Sequence, residues 1–305
     1  MLSVFFSFIA SISYGTGDFI AGRLAKKLPS ALIVFLTQGT QAVFVLLFAL
    51  LSRQQYSSEA LVWGILGGIA NGTAYMLYYR ALTLGKAGIV APLAASSAAI
   101  PLLISIVMGN IPNWYVLSGL TLVLSGIIGA TFTPQKQDPN AIPLCRGIVM
   151  LVVWKRPRIV IRPAACILLA LGASVCFGVA LTLEHHGAKT AGGSINWLVW
   201  GFQLGTLPVT LLSAITIKTS WAISQYRSTI LTPLCMIMLL NMSGDILIAY
   251  AFRKGVLGIV SVFASLAPVV TTLLAAVLLS ERLSKSQKLS AAAIITGTLI
   301  IQKFS

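Results

Sequence analysis

Ten apolar stretches, most close to the length that crosses a bilayer, make up nearly all of this sequence. They run over 2–22, 31–51, 60–80, 87–109, 113–132, 163–183, 194–215, 229–251, 255–279 and 287–303. A helix that spans the hydrocarbon core needs about 20 mostly apolar residues. Only 9% of the 305 residues are charged and 57% are hydrophobic, whereas a soluble domain carries about 25% charged residues. Too few charges remain to coat a water-facing globule, so lipid is the solvent for most of the surface. The formal net charge of +15 does not point to nucleic acid, because its 21 Lys and Arg fall mainly in the gaps between apolar runs, where a membrane protein places them. Nucleic-acid binding needs basic residues gathered on one face.

The longest gap, 133–162, holds Lys136, Arg146, Lys155, Arg156, Arg158 and Arg162, with a short apolar run from Gly147 to Trp154 that reads as interfacial. It divides the chain into units of five spans, 1–132 and 163–305, joined by a basic linker. Sliding the sequence by 170 residues aligns 71–92 with 241–262, and seven of the 22 positions are identical, including Asn71 with Asn241. Amides inside spans are costly unless paired, which makes that match informative. Five spans is an odd number, so the second unit enters the membrane from the opposite side. The expectation is an all-α membrane protein of about ten transmembrane helices, arranged as two inverted five-helix repeats around a central cavity. Inverted repeats of this kind belong to alternating-access transporters, with the substrate site at the repeat interface.

Certain motifs carry a family resemblance. Gly258-Ile259-Val260, then Ser265-Leu266-Ala267-Pro268-Val269, then Leu278-Leu279-Ser280-Glu281-Arg282-Leu283 and a span with Gly297 resemble the end of EamA-type members of the drug/metabolite transporter superfamily. The first half echoes this in Tyr79-Arg80-Ala81-Leu82 and Gly88-Ile89-Val90-Ala91-Pro92, and Gly15-x-x-Asp18-Phe19 resembles a pattern in a bacterial subgroup. The resemblance implies ten helices around a cavity, transport of a small metabolite or drug-like solute, and residence in the bacterial inner membrane. Two positions depart from the family pattern: Ile111-Pro112 replaces the Glu-Arg of the second half, and Gln38 stands where many members carry Arg.

The chain has six acids, of which Asp18 and Asp245 fall inside expected spans and Glu184 at the edge of one. An intramembrane carboxylate faces a cavity or a partner and is a functional candidate by default. Bland alternatives place Asp18 at the interface beside Arg23 and give Asp245 a structural hydrogen bond or a pairing with Arg253. Asn71 with Tyr75, and Asn241 with Asp245, are each one helical turn apart and share a face. Together with Tyr14, Gln38 with its neighbour Gln41, and Gln203, they form the expected substrate cavity or coupling site. Asp245 is the sharpest candidate, as a group that takes up a proton on one side and releases it on the other. Pro92, Pro101 and Pro268 are expected kinks, and the Gly64, Gly68, Gly72 and Gly201, Gly205 stripes read as close helix packing.

No cofactor or metal site is expected: Cys145, Cys166, Cys176 and Cys235 lack metal-binding spacing and read as buried thiols, and adjacent His185 and His186 point apart. The expected partners are a small-molecule substrate, membrane lipid and protons; oligomeric state is not legible. The cavity's amides, rings and acids favour neutral, zwitterionic or cationic solutes. A non-transporting scaffold or receptor is one alternative. An intramembrane aspartyl protease is another, on the Gly15-Thr16-Gly17-Asp18 string, but the accompanying motifs of that class are missing and no enzyme is expected. Loops after the odd-numbered spans carry 16 Lys and Arg against five on the other side, so the positive-inside rule puts both termini outside the cytoplasm. The family resemblance implies the reverse. A C-terminal reporter active on one side only distinguishes the two.

Overall fold

The computed structural model describes residues 2–24, 28, 30–52, 54–84, 96–109, 112–131, 163–192, 194–216 and 227–278, with 289, 290, 292, 293, 296, 297, 300 and 301 near the end. Among the described residues all regular structure is helical. Eight elements come first: α1 (Leu2–Leu24), α2 (Ser30–Leu51), α3 (Ser58–Leu84), α4 (Ala99–Val107, preceded by a 3₁₀ turn at Ser96–Ala98), α5 (Trp114–Thr131), α6 (Pro163–Thr190), α7 (Ile195–Thr216) and α8 (Arg227–Lys254). They are followed by α9 (Leu257–Ala264) and α10 (Ala267–Leu278). The linker 133–162, Pro92, and the segments flanking Glu281 lie outside the described residues. Among the described residues six helices are long and apolar enough to cross a membrane: α1, α2, α3, α6, α7 and α8.

The surface is built for lipid. Leu51, Val107, Leu168 and Leu231 are exposed, while Ser7, Ser11, Thr37, Gln41, Gln203 and Thr206 are buried. Buried hydroxyls fold back onto their own helix, as Ser7 does on the Ser3 carbonyl (2.9 Å) and Thr37 on that of Ile33 (2.8 Å), which satisfies them without water. Cys235 is exposed and Cys176 half-buried, so these two thiols are not the buried groups expected from their apolar surroundings.

Two elements differ from the sequence reading. α6 runs on to Thr190 instead of ending near 183, because its last turns are held by packing: Ala188 is buried and Gly187 sits against Trp63 and Leu198. The stretch expected as one kinked span over 255–279 is two helices. Pro268 lacks a backbone donor and its ring would clash with the carbonyl four residues back, that of Ala264, where α9 ends. Ser265 and Leu266 turn there, with the Leu266 amide bonded to the Phe263 carbonyl (3.2 Å). Pro101 behaves in the same way. It stands in the first turn of α4, four residues after Ser97 in the 3₁₀ turn. Of the three prolines expected as kinks, the two described ones therefore stand in the first turn of a helix, where a missing donor costs nothing, rather than kinking one. Pro208 and Pro233, which the sequence reading passed over, lie inside the continuous helices α7 and α8.

α3 packs along α6 and α7, α1 along α8 and the α9–α10 pair, and α2 between α7 and α8. Every one of these contacts joins the first half of the chain to the second. α1 begins beside the end of α8, where Gly255 meets Ser3, and α6 ends beside the start of α3, where Gly187 meets Trp63. The tightest seam is α3 against α7. A Cβ on Gly68 would overlap the Phe202 carbonyl oxygen, one on Gly205 that of Ile65, and the Thr206 hydroxyl donates across the seam to the Gly68 carbonyl (3.1 Å). Small residues bring the backbones together in the way the Gly stripes imply. Gly68→Val should therefore cost about 2–3 kcal/mol or more, read as a lower thermal midpoint of the detergent-solubilised protein. Gly39→Ala, whose added carbon would meet only Leu207 at 3.8 Å, should leave the midpoint in place.

Candidate functional site

Between the two halves lies a cavity of about 410 Å³. Its walls come from α1, α2, α3, α6, α7 and α8, and its remaining side from Ser97 of the 3₁₀ turn and from Ala264, Ser265 and Ala267 at the α9–α10 break. Irregular backbone at membrane depth is tolerated where it lines a cavity, and the α9–α10 break obeys that rule.

At the cavity wall Asp245 of α8 is held by three neutral donors from three other helices. The Tyr14 hydroxyl of α1 donates to Oδ1 (2.6 Å), and Oδ2 accepts from Nε2 of Gln203 of α7 (2.7 Å) and from Nε2 of Gln41 of α2. Hydrogen bonds to a charged acceptor are shorter and roughly twice as strong as neutral ones. Two glycines allow this clasp to form. A Cβ on Gly244 would sit 2.7 Å from the Tyr14 ring, and one on Gly17 would sit 2.6 Å from Oδ1 of Asn241. Arg253 is not among the partners of Asp245.

The sequence profile of the EamA-like transporter family matches residues 1–132 and 164–302. The chain belongs to the EamA-like transporter family. This makes it a multi-pass membrane protein of the drug/metabolite transporter type. No curated protein matches it. Twenty-nine chains of solved structures match it, among them one from a crystal structure described only as that of a protein, with TM-score 0.72, 18% identity, and coverage of 98% of this chain and 95% of the other. At that identity the likeness shows the fold alone.

Within this EamA-like fold, the structure brings most of the residues singled out from sequence to one place. Tyr14, Asp18, Gln38, Asn71 and Tyr75 line the cavity from the first half, and Asn241 and Asp245 from the second. Gln203 sits just behind, fully buried, with its amide on Asp245. Asp18 faces the cavity and makes no hydrogen bond to Asp245, so the shared-proton pair of an aspartyl protease is not formed. Tyr75 stands edge-on to Phe177, ring centroids 5.2 Å apart. His185 and His186 turn to different neighbours, Phe252 and Trp63.

Three features escaped the sequence reading. Glu184 is 6% exposed and lines the cavity, although it had been placed at a helix edge. Its signal is the helical face it shares with Phe177 and Leu181, both lining residues. Gln41, not its cavity-lining neighbour Gln38, reaches the carboxylate. The third feature is a polar latch on the face where α1 begins. There the Ser194 hydroxyl donates to the Gln55 carbonyl (2.6 Å), Asn196 Nδ2 to the Ser52 hydroxyl (2.9 Å), the Asn196 amide to Gln54 Oε1 (3.0 Å), and Trp197 Nε1 to the Gln54 carbonyl (3.3 Å). Phe252, Leu257, Ile195 and Leu198 are fully buried in one apolar cluster.

The clasp predicts non-additive stability. Gln203→Leu should destabilise the solubilised protein by about 1.5–3 kcal/mol, since it strands a charged acceptor. In an Asp245→Asn background the same change should cost less, leaving a coupling energy of at least about 1 kcal/mol in a double-mutant cycle.

Proposed function

We propose that this chain is a secondary transporter that moves a small solute across the bacterial inner membrane by alternating access. Two inverted five-helix units, 1–132 and 163–305, rock about the cavity between them, with the basic linker 133–162 at the interface. One observation carries this reading: a cavity between the halves that both of them line, with Tyr14, Asp18 and Asn71 from one and Glu184, Asn241 and Asp245 from the other, and the α9–α10 break at its wall. Under the 170-residue shift the 3₁₀ turn Ser96–Ala98 of the first half corresponds to 266–268, beside the Ser265–Leu266 turn of the second. Discontinuous helices at a repeat interface are the places where transporters of this design bind solutes and coupling ions. A scaffold has no need of two mirrored halves around such a site.

The latch supplies a gate of suitable strength. Each of its bonds is neutral and worth about 0.5–1.5 kcal/mol net, so the face it closes can reopen. Asp245 is the coupling group in this reading. Its carboxylate has no cationic partner among the described residues, and its three donors come from α1, α2 and α7, so rocking of the halves changes its solvation. A carboxylate whose solvation alternates can exchange a proton with each side in turn, as acids do in intramembrane proton relays.

Two outcomes follow. Asp245→Asn should abolish gradient-driven accumulation in proteoliposomes, while insertion and slow downhill equilibration persist; normal accumulation over the same pH range would remove the coupling role. Ser52→Cys with Asn196→Cys, on a background with the four natural cysteines replaced, should stop flux when oxidised and restore it on reduction. Undiminished flux with that disulfide formed would rule out opening of this face.

A further inference from the structure

The chain is strongly basic, yet its cavity is acidic. Of six Asp and Glu in the sequence, Asp18, Glu184 and Asp245 line this one space, and none of the lining residues among those described is Lys or Arg. The three acids are not equivalent. Asp245 has its oxygens taken by Tyr14, Gln41 and Gln203. Glu184 is nine-tenths buried, faces the cavity and makes no hydrogen bond to any described residue. A buried carboxylate left without a partner is costly, and a ligand that brings a cationic donor removes the cost. The same cavity is lined by aromatic rings, those of Tyr75, Tyr78, Phe177 and Phe202, and ring faces attract cations.

We propose that the cavity binds an organic ammonium ion that carries an aromatic ring, with Glu184 as the group that recognises the cationic head. The proposal rests on the transport reading only for the movement of this solute, not for its binding. An anion would meet three carboxylates in a space of low dielectric and be repelled. A neutral solute without a donor would leave Glu184 unpaired, as the empty cavity does. An aliphatic cation would satisfy the acid and leave the aromatic rings unused.

The test is equilibrium binding to the purified protein in detergent, using probes that share a skeleton and differ in the head group: 2-phenylethylammonium, 2-phenylethanol and phenylacetate, with butylammonium as the aliphatic control. The ammonium probe with the ring should bind at least about 10-fold more tightly than each of the other three. Glu184→Gln should weaken its binding by about 10-fold or more and leave 2-phenylethanol unchanged. Equal affinity across the head groups, or butylammonium matching the aromatic cation, would overturn the assignment, and neither comparison depends on a variant that folds. Selective binding without flux in proteoliposomes would sink the transport reading and leave the ligand class standing. Flux of phenylacetate or 2-phenylethanol with no preference for the ammonium would do the reverse.

Discussion

A carboxylate placed in hydrocarbon must be solvated by the protein itself, and Asp245 imposes that demand on the whole central bundle. The effective penalty for taking such an ion out of water is several kcal/mol, and hydrogen bonds to a charged group return about 1.5–3 kcal/mol each. Tyr14, Gln41 and Gln203 together are therefore on the scale needed, and a missing donor would leave a deficit. Because the three donors belong to α1, α2 and α7 while the acid belongs to α8, one side chain couples four helices. Close approach is a consequence: Gly244 and Gly17 are as small as they are because Tyr14 and Asn241 occupy the space a side chain would need.

The same rule explains why so much could be read without coordinates. Lipid as solvent makes each apolar run conspicuous, and it makes each amide or acid within a run costly enough to need a reason. Tyr14, Asn71, Tyr75, Asn241 and Asp245 stood out on those grounds. Glu184 did not, because the polar string His185-His186 after it resembles a helix end. Only the contacts of Gly187 and Ala188 with the rest of the bundle carry α6 onward to Thr190. Proline was ambiguous for a related reason. Pro208 and Pro233 sit in helices that continue, whereas Pro268 starts a new one. The residue removes a donor in each case, and the neighbours that decide whether the chain breaks are remote in sequence.

Two kinds of contact bind the halves, and they differ in what separation requires. The α3–α7 seam is backbone against backbone, with Gly64, Gly68, Gly201 and Gly205 leaving no gap, so parting it forfeits dense packing along its length. The latch through Ser52, Gln54, Asn196 and Trp197 consists of a few neutral bonds at one end of the bundle. A molecule built this way has a firm axis and a weak rim. The acidic, aromatic cavity lies beside backbone that is already broken at Ser265.

The central claim is that this cavity faces one side of the membrane at a time. Ser265→Cys, on a background without the natural cysteines, places a thiol at its wall, and a membrane-impermeant maleimide applied from each face of oriented vesicles reports access. The account predicts labelling from both faces in separate experiments. It also predicts that labelling from the face carrying the latch is lost when Ser52→Cys and Asn196→Cys are oxidised to a disulfide, while labelling from the opposite face persists. Access from one face only under every condition, or undiminished access past the closed disulfide, would contradict it.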